Sequence, residues 1–153
     1  VISRVDMPSI LFFLGILMAV AVLQATGILS TLATFLDSHL QNVYFIGSLL
    51  GALSAIVDNV PMVAAAMGMY PVADPAATGY AANFVVDGHF WGLLSYCAGV
   101  GGSMLIIGSA AGVITMGIEK INFGWYLKRF SGLAALGYVA GIVVYVFEHW
   151  LFG

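Results

Sequence analysis

Apolar residues run through this chain in long blocks rather than in alternation, and the interruptions between blocks are few. A helix rises about 1.5 Å per residue, so a hydrocarbon core of about 30 Å needs roughly 20 apolar residues. The first block predicts a span over about residues 8–25, with Pro8 tolerable in a first turn. From Gly27 to Leu40 the pattern changes. Ile28, Leu29, Leu32, Phe35 and Leu36 recur at helical spacing while Ser30, Thr31, Thr34, Asp37 and Ser38 fill the other positions. That predicts a short amphipathic helix lying at the membrane interface. Residues 43–70 are apolar again, with one real interruption, Asp58-Asn59-Val60-Pro61. Pro61 lacks an N–H and disfavours the α conformation at Val60, so the helix is expected to break near it. The halves, 43–57 and 62–70, would be about 22 Å and about 14 Å long. Neither spans alone. They form either one crossing with an unwound middle or a re-entrant hairpin. The polar stretch 71–88 carries Asp74, Asn83 and Asp87 and no basic residue. A second interrupted apolar block occupies 90–117, its centre crowded by Gly99, Gly101, Gly102, Gly108 and Gly112. After a loop holding Glu119, Lys120, Lys128 and Arg129, a last block predicts a span over about 130–152.

Composition fixes the solvent. The 153 residues are 62% hydrophobic and 7% charged, with a mean hydropathy of +1.07. Soluble domains carry about 25% charged residues, so this chain cannot clothe a water-facing surface and belongs in a bilayer. Four basic residues and a net charge of −3 leave no phosphate-neutralising face, which excludes nucleic acid as a partner. The single cysteine, Cys97, excludes an internal disulfide framework and reads as a small packing residue. With Val at position 1, the chain is expected to begin inside a longer protein. Arg4 ahead of an apolar run resembles a signal peptide, but the rest of the chain is itself membranous.

Charge decides between crossing and hairpin. With the Lys120/Lys128/Arg129 loop placed in the cytoplasm, the 90–117 block starts outside and so does the acidic 71–88 loop. A hairpin over 43–70 then puts Arg4 in the cytoplasm as well, whereas a full crossing puts it outside. The hairpin keeps all four basic residues on one side and is preferred.

Asp58 is the most informative side chain. A charge at mid-membrane costs about 2.5–3.5 kcal/mol on insertion scales and rarely sits there without function. Here it adjoins Asn59 and a break that frees backbone carbonyls: a carboxylate, an amide oxygen and carbonyls are the hard ligands a small alkali cation needs. The bland alternatives are that Asp58 pairs with a cation on a missing helix or caps the helix after the break as part of an Asp-Asn turn. In the second constellation, Gly101, Gly102 and Gly108 permit unwinding while Ser103 and Ser109 offer hydroxyls. Gly108/Gly112, Gly47/Gly51 and Gly137/Gly141 are also small-xxx-small pairs, for which tight packing is the simpler account. Asp87 and His89 read as a solvated loop end, His39 as interfacial, and Glu148, His149 and Trp150 as interfacial anchors. No nucleophile lies beside a base, so the chain is not read as an enzyme.

Taken together, Ser54-Ala55-Ile56-Val57-Asp58-Asn59-Val60-Pro61 and Tyr96-Cys97-Ala98-Gly99-Val100-Gly101-Gly102-Ser103-Met104-Leu105-Ile106-Ile107-Gly108-Ser109-Ala110-Ala111-Gly112 resemble the NhaD-type Na+/H+ antiporters. Glu119-Lys120-Ile121 and Phe123-Gly124-Trp125-Tyr126-Leu127-Lys128-Arg129 fit as well. The resemblance covers essentially the whole chain but only the C-terminal part of the family's proteins. These belong to the ion transporter superfamily, which also holds arsenite permeases and dicarboxylate transporters. The resemblance implies an all-α polytopic membrane protein, here one half of an inverted-repeat transporter with a re-entrant hairpin and a discontinuous helix. It places Asp58 and Asn59 at the hairpin tip and Ser103 and Ser109 at the broken helix, all four expected to bind the ion or proton, with helix breaks at Pro61, Gly101, Gly102 and Gly108. Dicarboxylate members carry a Ser-Asn-Thr type tip, so Asp58 favours a cation–proton exchanger.

The expected activity is Na+(Li+)/H+ antiport, with the two ions competing for Asp58. The alternatives are an anion permease of the same superfamily, for arsenite or dicarboxylate, and a non-transporting membrane subunit. No cofactor is expected beyond the transported ions. The expected partners are the lipid bilayer and the missing N-terminal repeat, with a homodimer allowed; the expected place is a bacterial inner membrane.

Overall fold

The computed structural model describes residues 7–152, in which helices account for all the regular structure. Arg4, the residue that bears on the hairpin argument from charge, lies outside the described residues. Helix α1, Met7–Ala25, ends in a sharp turn at Gly27, whose φ of 75° suits a residue without Cβ. Helix α2, Ile28–Leu40, leaves at 70° to the segment Phe13–Ala25. Leu29, Ala33 and Leu36 face inward, whereas Ile28, Leu32 and Phe35 stay exposed. The apolar positions of α2 therefore divide between two faces, one packed on protein and one left outward.

The central block is three helices. Asn42 opens α3, Val43–Leu53, by accepting the N–H of Tyr44 at 2.9 Å. Helix α4 is Asn59–Met69 and α5 is His89–Gly101. Along α3 and α5 the register rises together: Gly47 faces Leu93, and Gly51 faces Cys97. These two helices are thus parallel and close, as the small-xxx-small reading of Gly47/Gly51 expects. In lipid there is no hydrophobic drive between helices, so close backbone packing of this kind carries much of the association. Helix α4 runs back the other way, since Ser54 at the end of α3 lies against Ala98, while Tyr70 just after α4 has returned to Phe90, with ring centroids 5.1 Å apart. The chain from α3 to α4 is an antiparallel helical hairpin whose tip is residues 54–58.

The polar stretch folds over the open end of this hairpin through a 3-10 turn, Gly79–Phe84. Phe84 stacks on Tyr70 at 4.9 Å, and its carbonyl accepts the indole N–H of Trp91 at 3.1 Å. Asp37 of α2 accepts hydroxyl hydrogen bonds from Tyr80 at 2.8 Å and Tyr70 at 3.2 Å. Partial desolvation first, and the Asp37 carboxylate second, push the Tyr80 phenol above its ordinary range. It therefore stays a donor at physiological pH.

Beyond α5 come a 3-10 turn, Ile106–Gly108, then α6, Ala110–Ile118, α7, Phe123–Arg129, and α8, Ser131–Phe152. Among the described residues α8 is the one unbent helix long and apolar enough to cross a membrane, and the α1–α2 pair meets that test only as a bent unit. Three tyrosine hydroxyls tie α8 to the centre: Tyr96 to the Gly137 carbonyl at 3.0 Å, Tyr138 to Ser48 at 2.5 Å and Tyr145 to His89 at 2.9 Å. The His89 ring lies 3.5 Å from that of His149, a pairing across the ends of α5 and α8 that neither residue's local sequence discloses.

Candidate functional site: two helix breaks in contact

The first break begins where α3 stops. Ser54, Ala55 and Ile56 each donate their N–H three residues back, to Gly51, Ala52 and Leu53, tightening the last turn. Asp58 then turns extended, with φ −47° and ψ 145°, and its Oδ1 accepts the N–H of Asn59 at 2.9 Å as the cap of α4. The break therefore lies at 54–58, a turn earlier than Pro61 suggests. Pro61 itself sits in the first turn of α4, where a backbone N–H would have no partner inside the helix.

The second break separates α5 from α6. Ser103 and Met104 donate to Val100 and Gly101, Leu105 is extended, and the 3-10 turn leads to Ser109 in an extended conformation. Ser109 Oγ accepts the N–H of Gly112 at 3.0 Å and so caps α6. Ser103 Oγ donates to Val100 O at 2.6 Å.

These two breaks touch, backbone to backbone. Ser54 is fully buried, and its hydroxyl lies 2.7 Å from Gly51 O and 3.0 Å from Ala98 O, bridging α3 to α5. A Cβ on Gly101 would strike the Gly51 carbonyl oxygen and come within 2.6 Å of Ser54 Oγ. One on Gly108 would lie 2.5 Å from Ala55 O. The glycines are thus the surfaces on which the hairpin tip rests. Gly99, in contrast, has nothing within 4 Å of where its Cβ would be.

Beside this junction a cavity of about 440 Å³ opens between α4 and α5, lined by Asn59, Val60 and Met67 on one side and Trp91, Ser95 and Gly99 on the other. Of the four residues expected to bind an ion, Asn59 reaches this cavity. Asp58, half-buried, stands next to it in the chain. Ser103 and Ser109 lie in the second break, each bonded to its own helix, and no hydrogen bond joins Asp58 to either among the described residues. Oxygens are what the arrangement offers: a carboxylate, an amide and carbonyls outside helical ladders, donors suited to a hard cation. Ser54 is the contributor that sequence reading passed over. Its place in the apolar run 43–57 gives no hint of its bridge to Ala98, although its small size three residues after Gly51 is the kind of signal that close packing leaves.

The comparisons with known proteins agree on a transporter. A family described as citrate transporter matches residues 1–86. Sodium/proton antiporter 2 of Arabidopsis thaliana is 51% identical over 148 residues, which is 97% of this chain and 33% of that protein. The Na(+)/H(+) antiporter NhaD of Vibrio cholerae is 35% identical over 147 residues, 95% of this chain and 28% of the relative. An uncharacterized transporter of Mycobacterium tuberculosis is 26% identical over 162 residues, 99% of this chain and 37% of its own length. The chain therefore spans about a third of the length of the relatives it matches. No solved structure matches it. The chain belongs to the citrate transporter family of membrane proteins, with the NhaD-type sodium/proton antiporters among its kin.

Proposed function

We propose that the protein containing this chain exchanges Na+ or Li+ for H+ across a membrane by alternating access, and that this chain supplies one half of the ion site. The observation that carries the reading is the contact of two helix breaks, 54–58 and 102–109, the first of which ends on Asp58. Asp58 holds either a proton or a sodium ion, never both, so the two compete for one group. Asn59, Ser103 and carbonyls of the breaks replace part of the ion's water shell, and Ser109 orders the start of α6 behind them. An empty, charged Asp58 is costly to carry through the bilayer, which ties the two fluxes together. In this reading the tip of the α3–α4 hairpin lies within the bilayer, both its ends on one side, and a second repeat completes the site. The relatives come from a plant and from bacteria; a bacterial inner membrane fits the latter.

The description of the matching family as citrate transporter supports a second reading, an anion permease. One experiment separates them. Everted vesicles containing the full-length protein are monitored for recovery of a preformed pH gradient on adding Na+, Li+, K+ or citrate, wild type beside Asp58→Asn. Sodium-dependent recovery that disappears in Asp58→Asn is expected. Recovery that survives the substitution moves the proton site elsewhere, and a response to citrate with none to sodium replaces the antiporter by the permease.

A further inference from the structure

The segment Phe123-Gly124-Trp125-Tyr126-Leu127-Lys128-Arg129 has no part in the proposed ion exchange, yet it reaches the second break. Asn122 Oδ1 accepts the N–H of Gly124 at 2.8 Å and opens α7. On this short helix Phe123, Trp125, Leu127, Lys128 and Arg129 point outward. Tyr126 turns inward, and its hydroxyl donates to the carbonyl oxygen of Ser103 at 2.8 Å. Its ring lies on that of Phe130, centroids 5.5 Å apart and planes 21° apart, which restrains where the hydroxyl points. Residue 103 is thus gripped at three atoms. Its N–H and its Oγ both go to Val100 O, and its carbonyl goes to Tyr126.

We infer that Tyr126 is a positioning residue for the proposed ion site: by holding the Ser103 carbonyl it sets where the Ser103 hydroxyl oxygen is presented, and so sets the affinity for the transported cation. This rests on the reading of Ser103 as an ion ligand. The physical reason is that residues 102–105 stand between two helices. Ser103 and Met104 still bond three residues back to the end of α5, but Leu105 turns extended. Among the bonds described at Ser103, that of its carbonyl is the one made to a group outside that turn. The bond from Tyr126 therefore anchors the exit of that turn, which the α5 ladder does not reach. The link also joins the site mechanically to the basic segment Lys128–Arg129, two residues further along α7. Since Tyr126 bonds a backbone oxygen and not the ion, its removal loosens a ligand without deleting one.

The test is half-saturation against maximal rate. Full-length wild type, Tyr126→Phe and Tyr145→Phe are compared in everted vesicles over a range of Na+ and Li+ concentrations. Tyr145→Phe removes a similar hydroxyl-to-carbonyl bond, to His89 at 2.9 Å, away from the breaks. Tyr126→Phe is expected to raise the half-saturating Na+ concentration roughly 2- to 10-fold, the range that one net hydrogen bond carries, with the maximal rate kept. Tyr145→Phe is expected to leave half-saturation where it was. An unchanged half-saturation in Tyr126→Phe, an equal shift in both variants, or a fall in maximal rate alone overturns the inference. Its failure is distinct from failure of the antiport reading, which Asp58→Asn reports independently in the same vesicles.

Discussion

Gly101→Ala tests the contact on which the candidate site depends. The added Cβ would strike the Gly51 carbonyl oxygen, and it would lie 2.6 Å from Ser54 Oγ. Neither neighbour can swing aside. Gly51 O is a backbone atom already accepting the N–H of Ser54 at 3.1 Å, and the Ser54 hydroxyl is fully buried with its two acceptors fixed. Relief requires α3 and α5 to part, at an overpacking cost of about 1–3 kcal/mol. If parting also breaks the Ser54–Ala98 bond, while the hydroxyl keeps Gly51 O, the lost hydrogen bond adds about 0.5–1.5 kcal/mol. The expected loss with both effects is therefore about 1.5–4.5 kcal/mol. Gly99→Ala is the control on the same helix: its Cβ meets nothing within 4 Å, and replacing glycine inside a helix gains up to about 1 kcal/mol. Thermal unfolding of the full-length proteins in detergent should show Gly101→Ala well below wild type and Gly99→Ala at or above it. A Gly101→Ala protein as stable as wild type, or equal losses in both variants, would refute the reasoning that these breaks rest on each other's backbone.

The remaining predictions concern the supports of the site. Ser109→Ala removes the cap of α6 and should cost about 0.5–2 kcal/mol, seen as faster hydrogen exchange at the Gly112 amide; Ser109→Asn, which can still accept, should restore most of the protection. Asp37→Ala deletes the acceptor shared by Tyr70 and Tyr80. Exchange and proteolysis within residues 71–88 should then quicken about tenfold, equivalent to roughly 1.4 kcal/mol of local opening, while Asp37→Asn has the smaller effect. No change in either measurement would separate the polar stretch from α2.

Much of the helical layout is legible along the chain. The apolar blocks locate α1 and α8, because a helix that meets lipid needs little more than length and hydropathy. Both interruptions are visible too, at Asp58–Asn59 and among the glycines from 101 to 108. The exact ends are less so. Proline draws attention to residue 61, yet a proline in a first turn costs nothing, and the helix ends where Ser54, Ala55 and Ile56 take bonds three residues back. The face of α2 is legible only in part: Leu32 and Phe35 have the right spacing to be inward, and α4 happens to lie on the other side.

Residue types alone determine that this chain lives in a membrane and carries oxygen donors at two helix breaks. The reason is local chemistry, since charge, hydropathy and backbone freedom belong to each residue wherever it sits. Which atoms meet is decided by the tertiary structure. Ser54 bridges to Ala98, Gly101 admits Gly51, Tyr126 reaches Ser103, and His89 lies on His149, in each case across many intervening residues. Such contacts depend on how helices pack side by side, and a helix's sequence shows which of its positions are small or polar without showing what will stand opposite them.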